Sequence, residues 1–302
     1  MRFAPTALIA VLLAVVVGCG DGGGDDDAGV RVAATTTQVA DLVAHVGGKR
    51  VALDSILRPN SDPHEYEPRP SDAAALAKAD VVFRSGGDLD EWLDEVVDSA
   101  GGGAEQVTLI DSVKRADDDP HWWQNPRNAI LAVAAIRDAL IDADPSGRAG
   151  YERRAAAYTT RLRRLDAEVA GCLDRVPRAK RKLVTTHDAL GYFAARYGIE
   201  VIGAVIPSLS TQAQPSAKDV GELVGQIKRE GVEAIFPEAS LSRRLEQAIS
   251  RESGAEVGGQ LWADTLGPAG SSGATYVEAI QANAVELAKG MSGGSVTCSF
   301  SR

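Results

Sequence analysis

Histidine is scarce in this chain, four among 302 residues, and cysteine scarcer still, with three. So few thiols exclude a small disulfide-stapled scaffold and any zinc module built on cysteine quartets. No apolar stretch reaches the roughly 20 residues that a membrane-spanning helix requires; the longest, residues 7–17, lies close to the N-terminus. Basic residues are outnumbered, 32 Lys and Arg against 42 Asp and Glu, for a formal charge of −10. An acidic body with no basic stripe argues against a nucleic-acid partner and suits a cationic ligand. Hydrophobic residues make up 44% of the chain, the composition of a folded globular protein.

The N-terminus reads as an export segment. Met1-Arg2-Phe3 precedes the apolar run, and Val16-Val17-Gly18-Cys19 resembles a lipobox. Residues 1–18 are then a cleaved signal peptide, and Cys19, diacylated, becomes the mature N-terminus. Each buried acyl methylene contributes about 0.8 kcal/mol, so two chains anchor stably where one would not. The competing reading is an ordinary signal peptide with an incidental cysteine. Residues 19–29, mostly glycine and aspartate, form a flexible tether. That leaves Cys172 and Cys298 in a compartment that permits disulfides: they either bridge the end of a helix to the C-terminal tail or remain two separate thiols.

From residue 30 the pattern alternates apolar strands with amphipathic helices. Strands are expected at 30–34, 51–57, 81–84 and 107–110, with helices at 37–46, 71–79 and 90–99 between them. This β-α-β-α order predicts a parallel sheet covered by helices. A helix over 127–142 follows, then a much longer one over 147–174, in which Tyr151, Ala155, Tyr158, Leu162, Leu165, Val169 and Leu173 make one apolar stripe. At 1.5 Å per residue it spans roughly 40 Å, more than one lobe needs, and so reads as a spine beside two lobes. The alternation then resumes, with strands at 183–186, 200–206, 234–237 and 259–263 and helices at 189–197, 217–229, 242–253 and 275–290. The expected architecture is α/β: an N-terminal lobe over 30–146, a connecting helix over 147–176 and a C-terminal lobe over 177–302.

Two loops carry the chemistry. Asp62-Pro63-His64-Glu65-Tyr66-Glu67-Pro68 lies between Arg58-Pro59-Asn60-Ser61 and Arg69-Pro70, and its prolines exclude both helix and central strand. Residues 117–126 again set Asp-Pro directly before a histidine, in Asp119-Pro120-His121-Trp122-Trp123-Gln124-Asn125-Pro126. With these loops, the segment Thr186-His187-Asp188-Ala189 and the late Asp264-Thr265-Leu266-Gly267, the chain resembles the metal-binding receptors of bacterial ABC importers, the zinc/manganese type of extracytoplasmic solute-binding lipoprotein. The four motifs occur in the family's order over nearly the whole mature chain.

The resemblance implies that His64, His121, His187 and Asp264 each supply one metal ligand, two from each lobe, across a cleft. Each follows a strand at the edge where open parallel sheets bind ligands. It also implies a long helix that limits domain motion, an ABC permease as partner, and a monomer held outside the cytoplasm by its lipid. Three imidazoles and a carboxylate suit zinc better than magnesium or calcium, which prefer oxygen. In the family, histidine at the third position leans towards zinc and glutamate towards manganese, so His187 points to zinc. The departure here is the absence of a long histidine-rich loop between the first two ligands, which keeps manganese or iron open. Glu238, after strand 234–237, is read as a partner that orients a ligand, and Glu65 and Glu67 as similar partners beside His64. His45 is read as surface or packing, and Trp122 and Trp123 as shielding the site from water or packing the cleft. Rival readings are a metallohydrolase or an adhesin with a structural metal. A fourth protein ligand would close the shell against hydrolysis, and no HExxH-like base is present, so no enzymatic activity is expected.

Overall fold

The computed structural model describes residue 1 and residues 29–100, 103–116 and 118–300; the expected signal segment from residue 2 on, Cys19 and the tether up to residue 28 lie outside the described residues. Four parallel strands, β1 (Val30–Ala34), β2 (Val51–Ser55), β3 (Val81–Arg84) and β4 (Glu105–Thr108), form the first sheet in the order β2-β1-β3-β4. β1 is buried at every position but one, the pattern of a strand covered on both faces. Helices α1 (Thr37–Gly47), α2 (Pro70–Leu76) and α3 (Trp92–Ala100) alternate with the strands. α1 starts where the Thr36 hydroxyl accepts the Val39 N–H, and buries Val39, Leu42, Val43 and Val46. β4 begins and ends two residues before the expected 107–110: Leu109 and Ile110 fill the core from a 3-10 turn instead of continuing the strand.

Next come α4 (Pro126–Ala143), capped by Asn125 with proline at its first position, and the 26-residue α5 (Arg148–Leu173), about 39 Å long. Every residue of the expected apolar stripe of α5 is buried. Near its start, Arg154 donates to the Val46 and Gly47 carbonyls at the end of α1 at 2.7 and 2.8 Å. Near its end, Cys172 is bonded to Cys298, with Cα atoms 5.7 Å apart. The helix therefore lies along both halves of the molecule.

The second half holds β5 (Lys182–His187), α6 (Gly191–Tyr197), β6 (Glu200–Ile206), α7 (Ala217–Glu230), β7 (Ala234–Ile235), α8 (Arg244–Ser253), β8 (Glu256–Val257) and α9 (Tyr276–Met291). β5 pairs with β6 and β7 with β8, all parallel, and the Phe236 N–H donates to the Val184 carbonyl at 2.8 Å, joining the pairs. The resulting order β6-β5-β7-β8 repeats that of the first sheet. The strand expected over 259–263 is not formed; β8 lies earlier, and only Leu261 makes an isolated bridge, to Glu238. The backbone at Gly258 passes so close under Phe236 that a Cβ there would meet its Cδ1 at 2.8 Å, so the chain leaves the sheet at that point. One apolar core runs from the first sheet through α1, α4 and α5 to Phe236 and α9, with smaller clusters behind each sheet. Among the described residues no helix is long and apolar enough to cross a membrane.

Candidate metal site

The two Asp-Pro-His segments fold by one local rule. Asp62 Oδ1 accepts the His64 N–H and Asp119 Oδ1 accepts the His121 N–H, both at 2.9 Å, so each aspartate turns the chain back onto the histidine two residues on. Proline between them fixes φ and offers no competing donor. The first loop is braced by Arg69, whose Nη2 donates to the Ile56 carbonyl at 3.0 Å and whose N–H reaches Asp72 at 2.7 Å. Asn60 takes a left-handed φ of 65°, which asparagine tolerates, and sends its N–H to the Leu266 carbonyl at 3.1 Å. His187 ends β5, and Asp264 follows the chain that leaves β8.

These four residues converge. Their inward atoms lie within 4.8 Å of one another, the one such group of His, Cys, Asp and Glu among the described residues. Asp264 Oδ2 lies 3.1 Å from His187 Nε2 and 3.4 Å from His64 Nε2, and its Oδ1 lies 3.4 Å from His121 Nε2. All four side chains are at most 5% exposed. On the outward side His187 Nδ1 is 2.6 Å from Glu238 and His121 Nδ1 is 2.7 Å from Asp119. Each carboxylate also accepts the backbone N–H of the histidine it holds, which sets the ring's tautomer and aims the Nε2 lone pair inward. Loop residues from the second sheet reach over the first loop: the Thr211 hydroxyl donates to Asp62 at 2.8 Å, and Gln212 Nε2 to the His64 carbonyl.

The electrostatics are those of a cation site. Burial would lower the His187 pKa, but the Asp264 and Glu238 carboxylates outweigh it and hold the imidazole well above its usual value. For Asp264 burial acts in the raising direction, yet His187 and His121 hold the carboxyl well below the usual range. Even so, His187 Nε2 and Asp264 Oδ1 are buried without a hydrogen-bond partner. Buried polar atoms are normally satisfied, and two orphans facing one centre mark a place for a ligand that is neither protein nor apolar. Three imidazole nitrogens and a carboxylate are the donor set of a divalent transition metal.

One expectation is revised. Glu65 is exposed and forms no hydrogen bond or ion pair among the described residues, because the loop turns its side chain to solvent; the carboxylate that acts on this loop is Asp62. Asp119, to which the sequence assigned no role, holds His121, and its signal was the repeated Asp-Pro-His. Gly191 at the head of α6 leaves room for it, since a Cβ there would meet Asp119 Oδ2 at 2.8 Å. Trp122 and Trp123 are fully buried, and their indole N–H groups donate to Ser85 and to the Ala263 carbonyl, at 3.1 and 3.0 Å. His45 lies apart, stacked on Tyr158 at 4.0 Å between ring centres.

Comparison with known proteins agrees with this geometry. Residues 32–290 match the sequence profile of the family described as zinc-uptake complex component A, periplasmic. The manganese-binding lipoprotein MntA of Halalkalibacterium halodurans is 28% identical over 293 residues, covering 94% of this chain and 97% of that protein. The iron ABC transporter substrate-binding lipoprotein MtsA of Streptococcus pyogenes is 28% identical, covering 87% and 89%. Among solved structures, the periplasmic zinc-binding protein TroA of Treponema pallidum superposes with a TM-score of 0.81 at 28% identity, over 87% of this chain and 99% of that one. The chain therefore belongs to the periplasmic zinc-uptake component A family, the metal-binding substrate-binding lipoproteins of ABC importers, which are receptors and not enzymes.

Proposed function

We propose that this protein captures zinc outside the cytoplasm and delivers it to an ABC permease. The observation that carries the reading is the convergence of three imidazole Nε2 atoms and one carboxylate on a single buried centre. In this reading His64, His121, His187 and Asp264 hold the ion, and Asp119 and Glu238 keep two of the imidazoles in the binding tautomer. Nitrogen-rich sets with four protein donors favour tetrahedral zinc, with Zn–N near 2.0–2.1 Å. Four protein donors also leave no open position for the activated water of a hydrolase.

In this reading a signal peptide over 1–18 is removed, a lipid on Cys19 and the tether hold the receptor at the outer face of the membrane, and it acts as a monomer. The lobes over 30–146 and 177–302 grip the ion between them, with the connecting segment 147–176 as their common support. One observation favours a second reading, a manganese or iron receptor: both oxygens of Asp264 face the histidines, so the carboxylate can bind a larger cation through two atoms. The names of MntA and MtsA run the same way.

Competitive titration of the chain from residue 20 onward with zinc and manganese, with bound metal counted by elemental analysis, decides between them. The expected result is one equivalent of zinc held far more tightly than manganese, and strong weakening on His64→Ala, His121→Ala or His187→Ala with the fold unchanged. Manganese preference would overturn the zinc assignment, and absence of binding would overturn the receptor reading for this chain.

A further inference from the structure

Three side-chain donors meet on one backbone oxygen next to Asp264. Trp123 Nε1 lies 3.0 Å, Gln124 Nε2 2.8 Å and Gln38 Nε2 3.4 Å from the Ala263 carbonyl. Just beyond Asp264, the Leu266 N–H donates to the Thr37 hydroxyl at 2.8 Å, and the Leu266 carbonyl accepts the Asn60 N–H at 3.1 Å. All of these partners belong to the first half of the chain: α1, the loop before His64 and the turn after His121.

The preceding residues are tied elsewhere. Leu261 exchanges backbone hydrogen bonds with Pro237 and Ala239 at 2.8 and 2.7 Å, and Trp262 pairs through N–H and carbonyl with Asn283 of α9. Partners thus change between Trp262 and Ala263, one residue before the carboxylate. The sequence divides the four converging side chains two and two between the lobes. The hydrogen bonds of residues 263 and 266 put Asp264 on the side of His64 and His121, while Thr211 and Gln212 of the second half bond the His64 loop.

The arrangement is not one that stability alone would select. A carbonyl oxygen has two lone pairs, and a third donor adds little. Gln124 moreover leaves its own Oε1 buried without a partner in order to present Nε2 to Ala263. Buried orphans of this kind are costly and concentrate where function constrains the structure.

We propose that Trp123 and Gln124 are positioning residues for Asp264, fastening its backbone to the first lobe so that His64, His121 and Asp264 form a preassembled three-donor half-site that His187 completes from the second lobe. This rests on the reading that these four side chains hold the metal. Closure around the ion is then a motion of His187 relative to a fixed trio, and a chain lacking His187 keeps a weaker site of defined composition.

The test is zinc affinity of the full mature chain carrying Gln124→Met or Trp123→Phe, alone and combined with Asp264→Asn or His187→Ala. Gln124→Met is expected to weaken zinc roughly 10- to 100-fold, the usual effect of removing a residue that orients a metal ligand. The melting temperature of its metal-free form should be unchanged or higher, because the orphaned Oε1 is gone. Trp123→Phe, which removes only the N–H, should act in the same direction. The Gln124→Met effect should vanish in the Asp264→Asn background and persist in the His187→Ala background, since the residue acts through Asp264. Unchanged affinity in both Gln124→Met and Trp123→Phe would overturn the proposal, as would a loss that persists undiminished in Asp264→Asn. Unchanged affinity in Asp264→Asn alone would overturn the metal reading itself, and the proposal with it.

Discussion

Two of the three converging histidines are clamped from behind by a carboxylate that grips ring and backbone together, Glu238 on His187 and Asp119 on His121. A carboxylate accepts from both groups at once, whereas an amide in its place can turn an N–H towards Nδ1 and force the wrong tautomer. Glu238→Gln should therefore weaken metal binding by roughly 10- to 100-fold with His187 still present. Isothermal titration measures it, and an affinity within twofold of the parent would show that the pair is not used to orient His187. At this scale the four converging residues were legible because each stands in a short motif. The clamps were legible only in part. Asp119 occupies the same place before His121 as Asp62 before His64, yet only the folded chain shows that one carboxylate bends to the ring and the other to Thr211. Gln124 left no signal at all, since its partner Ala263 lies 139 residues away.

At the scale of elements, α5 is secured at both ends, and each fastening has a measurable consequence. Its far end is bonded through Cys172 to Cys298 across a separation of 126 residues. Removing a crosslink that closes so long a loop costs ~5 kcal/mol on the chain-entropy account. Cys172→Ala with Cys298→Ala should thus lower the melting temperature while leaving metal affinity unchanged, because neither residue approaches the converging side chains; a parallel loss of affinity would contradict this separation. At its near end the joint with α4 centres on Asp144, which receives Arg50, Ser146 and Tyr151. Burial would raise the Asp144 pKa, but those hydrogen bonds prevail and bring it down to about 2, against about 3.9 in an unfolded chain. A carboxyl depressed in the folded state stabilises fully above the unfolded value and loses that contribution as pH falls through the folded one. The melting-temperature gap between parent and Asp144→Asn should be largest near pH 6 and shrink between pH 4 and pH 2. A gap constant over that range would assign the stabilisation to shape, not charge. The order of elements was legible because apolar strands and striped helices alternate with little ambiguity. The late strand was misplaced because Gly258 lets the backbone pass under Phe236 and Gly259 lets it pass beside Glu286, demands set by packing and invisible in local pattern.

For the whole molecule, the sequence showed two similar α/β halves and a spine, but not that a single apolar core passes from the first sheet through α5 to α9. Periodicity reports which face of an element is buried and says nothing of what buries it. That continuous core has a consequence for metal. The converging side chains sit at the ends of strands and in loops, outside the apolar core. Nothing in the core waits for an ion, unlike a small metal module whose folding is its metal binding. Chelation should therefore strip the metal while leaving the far-ultraviolet circular dichroism and a cooperative melt intact. Zinc restored at about 100 times its Kd should stabilise the fold by ~2.7 kcal/mol, raising the melting temperature by roughly 5–10 °C. Because imidazole binds a metal only when its inward nitrogen is free of a proton, zinc affinity should also fall as pH is lowered. A chelated chain that unfolds would mean that the ion is structural, in which case release to a permease would cost the receptor its own fold.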